Sequence, residues 1–152
     1  MFSRKSIAGI VIAIGTCFPA FGQDAVTRLA ADAPFEQVIA DLEDAIVNRG
    51  YVVDYRGNIG EMLKRTAGDL GNRPALYRNA EFFQFCSAVV SRKAMEADTA
   101  NIAFCPYVLF AYETEAKPGE VMVGFRRLPP GGGRDEVNAL LEGIVREAAG
   151  EF

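Results

Sequence analysis

EFFQFCSAVVSRKAMEADTANIAFCPYVLFAYE, from Glu81 to Glu113, gathers the aromatics of the chain, its two later cysteines and its longest apolar run. The segment from Ala75 to Cys86 carries Tyr77, Phe83 and Phe85 and reads as a third strand. Ser87 or Ser91 then caps a helix running through Met95 to Asp98. Ile102 to Tyr112 is apolar at almost every position, as a strand buried on both faces would be. Pro106 cannot donate to a ladder, so it belongs on an edge or just ahead of the paired part. Pro118-Gly119 turns the chain, and Val121 to Leu128 returns as a fifth strand antiparallel to the fourth.

The flanking sequence supplies what packs on these strands. Asp24 to Asp32 reads as a first strand along Val26, Arg28 and Ala30. After Pro34, the residues Phe35, Val38, Ile39, Leu42 and Ile46 recur at helical spacing until Gly50. Tyr51 to Arg56 is rich in β-formers and ends at Gly57, and Asn58 with Glu61 three residues on marks a short helix over Ile59 to Thr66. Gly68 to Pro74 and Pro129 to Gly133 read as loops, the second as a flexible linker. Asp135 then caps a last helix whose stripe of Val137, Leu140, Leu141, Ile144, Val145 and Ala148 must be buried, on the sheet or on a second copy of the chain. The expectation is an α+β fold: one compact domain with a sheet of four to five strands and helices packed on it.

Composition removes several function classes. A net charge of −4 and a pI near 4.9 argue against nucleic acid, which needs clustered Lys and Arg. Histidine is absent, so no Ser-His or Cys-His nucleophile can be built. The three cysteines have none of the close spacing of a structural zinc site, and no metal or cofactor is expected. Asp41, Glu43 and Asp44 fall off the apolar stripe of their helix and read as a wet face rather than a glycosidase pair. Gly57-Asn58-Ile59-Gly60 follows a strand and reads as a turn, not as the loop between helices with which some RNA-binding modules clamp a backbone. Gly131 to Gly133 lacks the G-x-G-x-x-G pattern and a following Lys-Ser/Thr. No catalytic grouping is visible, and the chain leans away from being an enzyme.

Residues 1–22 read as a signal peptide: Arg4 and Lys5, the apolar run Ile7 to Ile14, and Ala20 and Gly22 at the two positions a signal peptidase inspects. The run meets Thr16 and Pro19 too soon for a membrane span, so no stable anchor is expected after cleavage. Lipidation at Cys17 is the second reading, although Thr16 is not the usual preceding residue. Removal of Arg4 and Lys5 leaves fourteen basic against twenty acidic residues, a net charge of −6, in residues 23–152. The expected address is the periplasm or the exterior. That oxidising address, an even cysteine count and adjacent strands favour a disulfide between Cys86 and Cys105.

Four stretches, Phe35 to Tyr51, Gly60 to Leu63, Leu76 to Cys86 and Cys105 to Glu113, resemble the domain-of-unknown-function 302 family over Asp32 to Leu128. Members share a Phe-led helix running into a glycine-started strand, and a late Cys-Pro or Pro-Cys before a strand ending in Tyr-Glu. The resemblance implies a compact α+β domain with a mixed sheet, helices against one face and frequent dimers. It implies no activity, and only a faint association with sulfur metabolism. Short cytosolic relatives have the cysteine after the proline, whereas here Cys105 precedes Pro106.

Two readings of function follow. In the first, the domain binds a small molecule or a periplasmic protein in an aromatic groove near Tyr77, Phe83, Tyr107 and Tyr112, the tyrosines being the stronger candidates because each hydroxyl needs a partner or water. In the second, Cys86 and Cys105, with Met95, serve redox, sulfur-carrier or Cu(I) chemistry. A homodimer through the last helix or an exposed sheet edge is expected alongside either.

Overall fold

The computed structural model describes residues 25–71 and 73–151, so the expected signal peptide lies outside the described residues. Five strands, β1 (Val26–Ala31), β2 (Val53–Asn58), β3 (Tyr77–Phe85), β4 (Tyr107–Thr114) and β5 (Val121–Arg126), form one sheet in the order β1-β5-β4-β3-β2. Every pairing is antiparallel, where the family resemblance implied a mixed sheet. The edges are β1 and β2, and the central β4 pairs with both β3 and β5.

Helices α1 (Phe35–Val47) and α4 (Arg134–Ala148) lie side by side on one face of the sheet. The apolar stripe of α1 is Phe35, Val38, Ile39, Leu42, Ala45 and Ile46, all buried. The α4 stripe is spent in the same layer: Val137, Leu141, Ile144 and Val145 are inaccessible to solvent. The stripe that could have gone to the sheet or to a second copy of the chain is thus buried within the chain itself. From the sheet, Phe83, Phe85, Leu109, Val123 and Phe125 point into this core and are fully buried, each worth about 1.5–3 kcal/mol of hydrophobic stabilisation.

Local chemistry explains the other elements. Asn58 accepts from the Glu61 amide at 2.8 Å and starts α2 (Ile59–Thr66). Ser87 accepts from the Val90 amide and starts α3 (Ala88–Ala97), which decides between the two candidate caps, and Ser91 serves elsewhere. The expected strand over Ile102 to Phe104 is instead a 3-10 helix, Thr99–Phe104, begun by Asp98, whose carboxylate accepts from the Ala100 amide. The paired part of the fourth strand begins only at Tyr107, just after Pro106.

The glycine loop is pinned rather than loose. Gly131, Gly132 and Gly133 all have positive φ, which only glycine adopts without strain. Asn101, buried, donates to the carbonyls of Ala94 and Gly132, and Arg134 donates to Pro129 O, Pro130 O and Asn101 Oδ1. The last helix therefore starts at Arg134. Asp135 does not cap it; its carboxylate turns back to accept from the Gly131 amide.

Candidate functional site

Among the described residues, no helix layer covers the centre of the sheet's second face. Along β4 the burial alternates: Tyr107, Leu109, Ala111 and Glu113 are buried, and Val108, Phe110, Tyr112 and Thr114 are half-buried on the other side. The fourth strand is thus buried on one face only. Its other face is sealed in part by its own rings. Gly57 and Gly124 leave room for them: a Cβ on Gly57 would meet the ring of Phe82, and one on Gly124 would meet the ring of Phe110 and the carbonyl of Thr27. The rings of Phe82 and Phe110 occupy the space over these glycines, each reaching onto a neighbouring strand where no side chain competes. Tyr55 stacks at an angle on Phe82, with centroids 5.6 Å apart, and Tyr112 on Phe110 at 6.1 Å.

Tyr77 joins this face through a bulge. The register slips between Tyr77 and Asn79, so Tyr77 faces Thr114 and its ring meets the edge of Tyr112 at 5.7 Å. Two of the three tyrosines singled out in the sequence are therefore neighbours, lining one groove of about 540 Å³ with Arg28, Leu76, Lys117 and Met122. Tyr107 and Phe83 are not part of it. Tyr107 is 2% exposed, faces the helix layer, and shares a 2.8 Å hydrogen bond with Ser91. Burial raises its pKa above that of an ordinary phenol, the Ser91 bond opposing weakly, so the ring is a neutral core element. Phe83 is wholly buried under the cation of Arg56.

Sequence reasoning missed the cleft that opens from the Tyr77 end of the groove. Gly60 lets α2 press against β3, since a Cβ there would lie 3.0 Å from the Ala80 nitrogen. Lys64 extends the contact by donating to Arg78 O at 2.9 Å. Between α2 and the segment from Arg73 to Tyr77 lies a mainly apolar cleft of about 440 Å³, lined by Leu63, Ala67, Leu70, Pro74 and Leu76, with Tyr77 shared with the first groove. Such a volume is within the ordinary range of ligand sites. The available signal was the apolar spacing of Leu63, Ala67 and Leu70, facing a second apolar run at Pro74 to Tyr77.

Cys86 and Cys105 stand at disulfide distance with Cα atoms 6.1 Å apart, at the end of β3 and just before β4. Ser91 Oγ lies 3.9 Å from the Cys105 sulfur. On the helix side, Glu113 is buried and accepts from the Gly119 amide at 2.7 Å and from Asn79 at 3.0 Å. The Gly119 bond is the main cause that holds its pKa below the usual carboxylate value; burial opposes it, and Asn79 and Arg78 assist. Both carboxylate oxygens are occupied by donors of the fold itself. Among the described residues there is no grouping of three or more Cys, Asp or Glu able to hold a metal ion, and no helix long and apolar enough to cross a membrane.

The family profile described as "Domain of unknown function DUF302" matches residues 14–131, most of the chain. The chain belongs to the DUF302 family. No curated protein matches it. The crystal structure of an uncharacterized conserved DUF302 protein from Bacillus stearothermophilus superposes with a TM-score of 0.67, covering 83% of this chain and 99% of that one at 12% identity. At that identity the likeness speaks for the fold, an antiparallel sheet with helices packed on it, and carries no functional residue across. As a DUF302 domain, the chain has a family and a fold to which no activity is attached.

Proposed function

We propose that this DUF302 domain is a non-catalytic binding module of the exported protein, holding a small ligand in the groove of Tyr77 and Tyr112 and the cleft that continues from it. One observation carries the reading: Tyr77 lines both cavities, so an aromatic wall and an apolar slot form one continuous surface on the face of the sheet that α1 and α4 leave bare. Rigid aromatics on a sheet, backed by a fully packed core, are preorganised and lose little entropy on binding. Native mass spectrometry of the protein purified from its own exported fraction, followed by titration of whatever copurifies, tests the proposal. Tyr77→Ala and Tyr112→Ala should each weaken binding at least about tenfold, the loss of an aromatic contact together with its buried area. Tyr55→Ala, at the other end of the same face, should leave it unchanged. Equal affinity in all four proteins would overturn the reading.

Thiol chemistry is the second reading, favoured by the half-buried position of both cysteines and the nearness of Ser91 to Cys105. It requires reduced thiols or bound copper in protein isolated without reductant, which a thiol and metal count detects.

A further inference from the structure

The cleft between α2 and the segment from Arg73 to Tyr77 has a chemistry more specific than a generic groove. Its walls are aliphatic: Leu63 and Ala67 from α2, Leu70 from the loop, and Pro74 and Leu76 opposite. Leu70 and Leu76 are 60% and 67% exposed, a high cost in apolar surface for residues that pack against little else. The lining is not wholly apolar, however. Two cations, Lys64 and Arg73, belong to it, and no acid does. Lys64 is already engaged, bonded to Glu61 at 3.0 Å and to the Arg78 carbonyl. Arg73 has no carboxylate partner among the described residues. An aliphatic slot with one uncompensated guanidinium in its wall complements a molecule that has an aliphatic body and a single anionic head. A guanidinium grips a carboxylate through two parallel hydrogen bonds. The volume of about 440 Å³ holds about fifteen non-hydrogen atoms at roughly 30 Å³ each, the size of a medium-chain acyl carboxylate.

We infer that the cleft binds a free medium-chain acyl carboxylate, its chain along Leu63, Ala67 and Leu76 and its head on Arg73. The inference rests on the binding reading above and names the ligand class for the cleft half of that surface. Arg28 and Lys117, the cations of the tyrosine groove, have no part in it.

Calorimetric titration of the purified protein with decanoate and with decan-1-ol provides the test. Decanoate should bind saturably, one per chain, and more tightly than the alcohol. Arg73→Gln should weaken decanoate by up to about fivefold, the upper range for an exposed ion pair, and leave the alcohol unchanged. Arg92→Gln, an exposed cation of α3 outside both cavities, should change neither. Ala67→Phe, which fills the slot, should abolish both, with circular dichroism checking the fold; Leu70→Asp, at an exposed position, provides a second variant with the same expected loss. Equal affinity for acid and alcohol, or a loss on Arg28→Gln in place of Arg73→Gln, would overturn the assignment. So would uptake of the protein by anionic vesicles with no binding of free decanoate. Decanoate binding lost in Tyr112→Ala but intact in Ala67→Phe would remove the cleft while leaving the groove as a binding site. No binding of either probe would overturn this inference, and the broader reading would then be decided by the copurified ligand.

Discussion

Reduction of Cys86 and Cys105 should lower the melting temperature by about 12 °C. The two residues are 19 positions apart, and their α-carbons, at 6.1 Å, fall in the range a disulfide spans without moving the backbone. In the folded protein the bond holds little that is not already held, because Phe85 and Tyr107, the neighbours of the two cysteines on the strand side, are paired across the sheet. Its effect must therefore lie mainly in the unfolded chain, where it closes a loop containing α3 and the 3-10 helix. Chain-entropy arithmetic for a loop of this length gives about 3.2 kcal/mol. Unfolding entropy near 2.1 cal/mol/K per residue over roughly 130 residues is about 0.27 kcal/mol/K, which converts that energy into a shift of about 12 °C. Scanning calorimetry on one preparation, oxidised and reduced, measures it. Urea titration adds a signature: the reduced chain unfolds to a more expanded ensemble, so its denaturant slope should rise. A shift below about 3 °C, or two titratable thiols in denatured protein never exposed to reductant, would refute the reasoning and return the cysteines to thiol chemistry.

Other perturbations test the core and the sheet. Phe83→Ala should cost about 3–5 kcal/mol, a large share of a domain's typical stability, because Phe83 is inaccessible to solvent and its removal leaves a cavity; chemical denaturation reads this directly. Gly124→Val should abolish soluble expression or lower stability by several kcal/mol, since its Cβ meets the Thr27 carbonyl of β1, which cannot withdraw without breaking the β1–β5 pairing; a stable, soluble variant would contradict the packing. Glu113, with its folded pKa below the unfolded value, contributes stability that is present above the ordinary carboxylate range and lost as pH falls through the folded value. Melting temperatures of the wild type and Glu113→Gln should therefore differ at neutral pH and converge in acid, and a constant difference across that range would assign the effect to packing instead.

The elements were legible where a local device announces them. The 3.6-residue spacing from Phe35 to Ile46 needs only a surface to bury against, Asn58 with Glu61 closes its cap within three residues, and the β4–β5 hairpin follows from Pro118-Gly119 between two apolar runs. The error at Ile102 to Phe104 has a physical source. A continuous apolar run does not distinguish a strand from a tight helix by periodicity, and the deciding contacts, Asn101 to the carbonyls of Ala94 and Gly132, join residues up to 31 positions apart. The bare second face was hidden for a related reason. Phe82 and Phe110 are apolar enough to read as core, but they are covered by lying over Gly57 and Gly124, glycines on neighbouring strands that become partners only once the register is known.

The tyrosines show how the same rule both warns and fails. Tyr107 and Tyr112 are five positions apart on one strand, and an odd spacing puts two side chains on opposite faces, so a single groove could never have held both. That constraint was present in the sequence, and it assigns one to the core and the other to the open face before any packing is considered. Tyr77 is the reverse case. Strict alternation back from the buried Phe83 would put Tyr77 on the helix side, away from Tyr112. The bulge between Tyr77 and Asn79 adds one residue and turns the ring over to the bare face, where it meets Tyr112 and opens onto the cleft below α2. A one-residue slip at the start of β3 therefore creates the junction on which the proposed site depends. Deleting Arg78 should remove the bulge and set Tyr77 directly before Asn79, whose partner Glu113 lies on the helix side, so that Tyr77 stays on the bare face opposite Thr114 and ligand binding is kept. Loss of binding in that variant, with Tyr112 still in place, would refute this account of the slip.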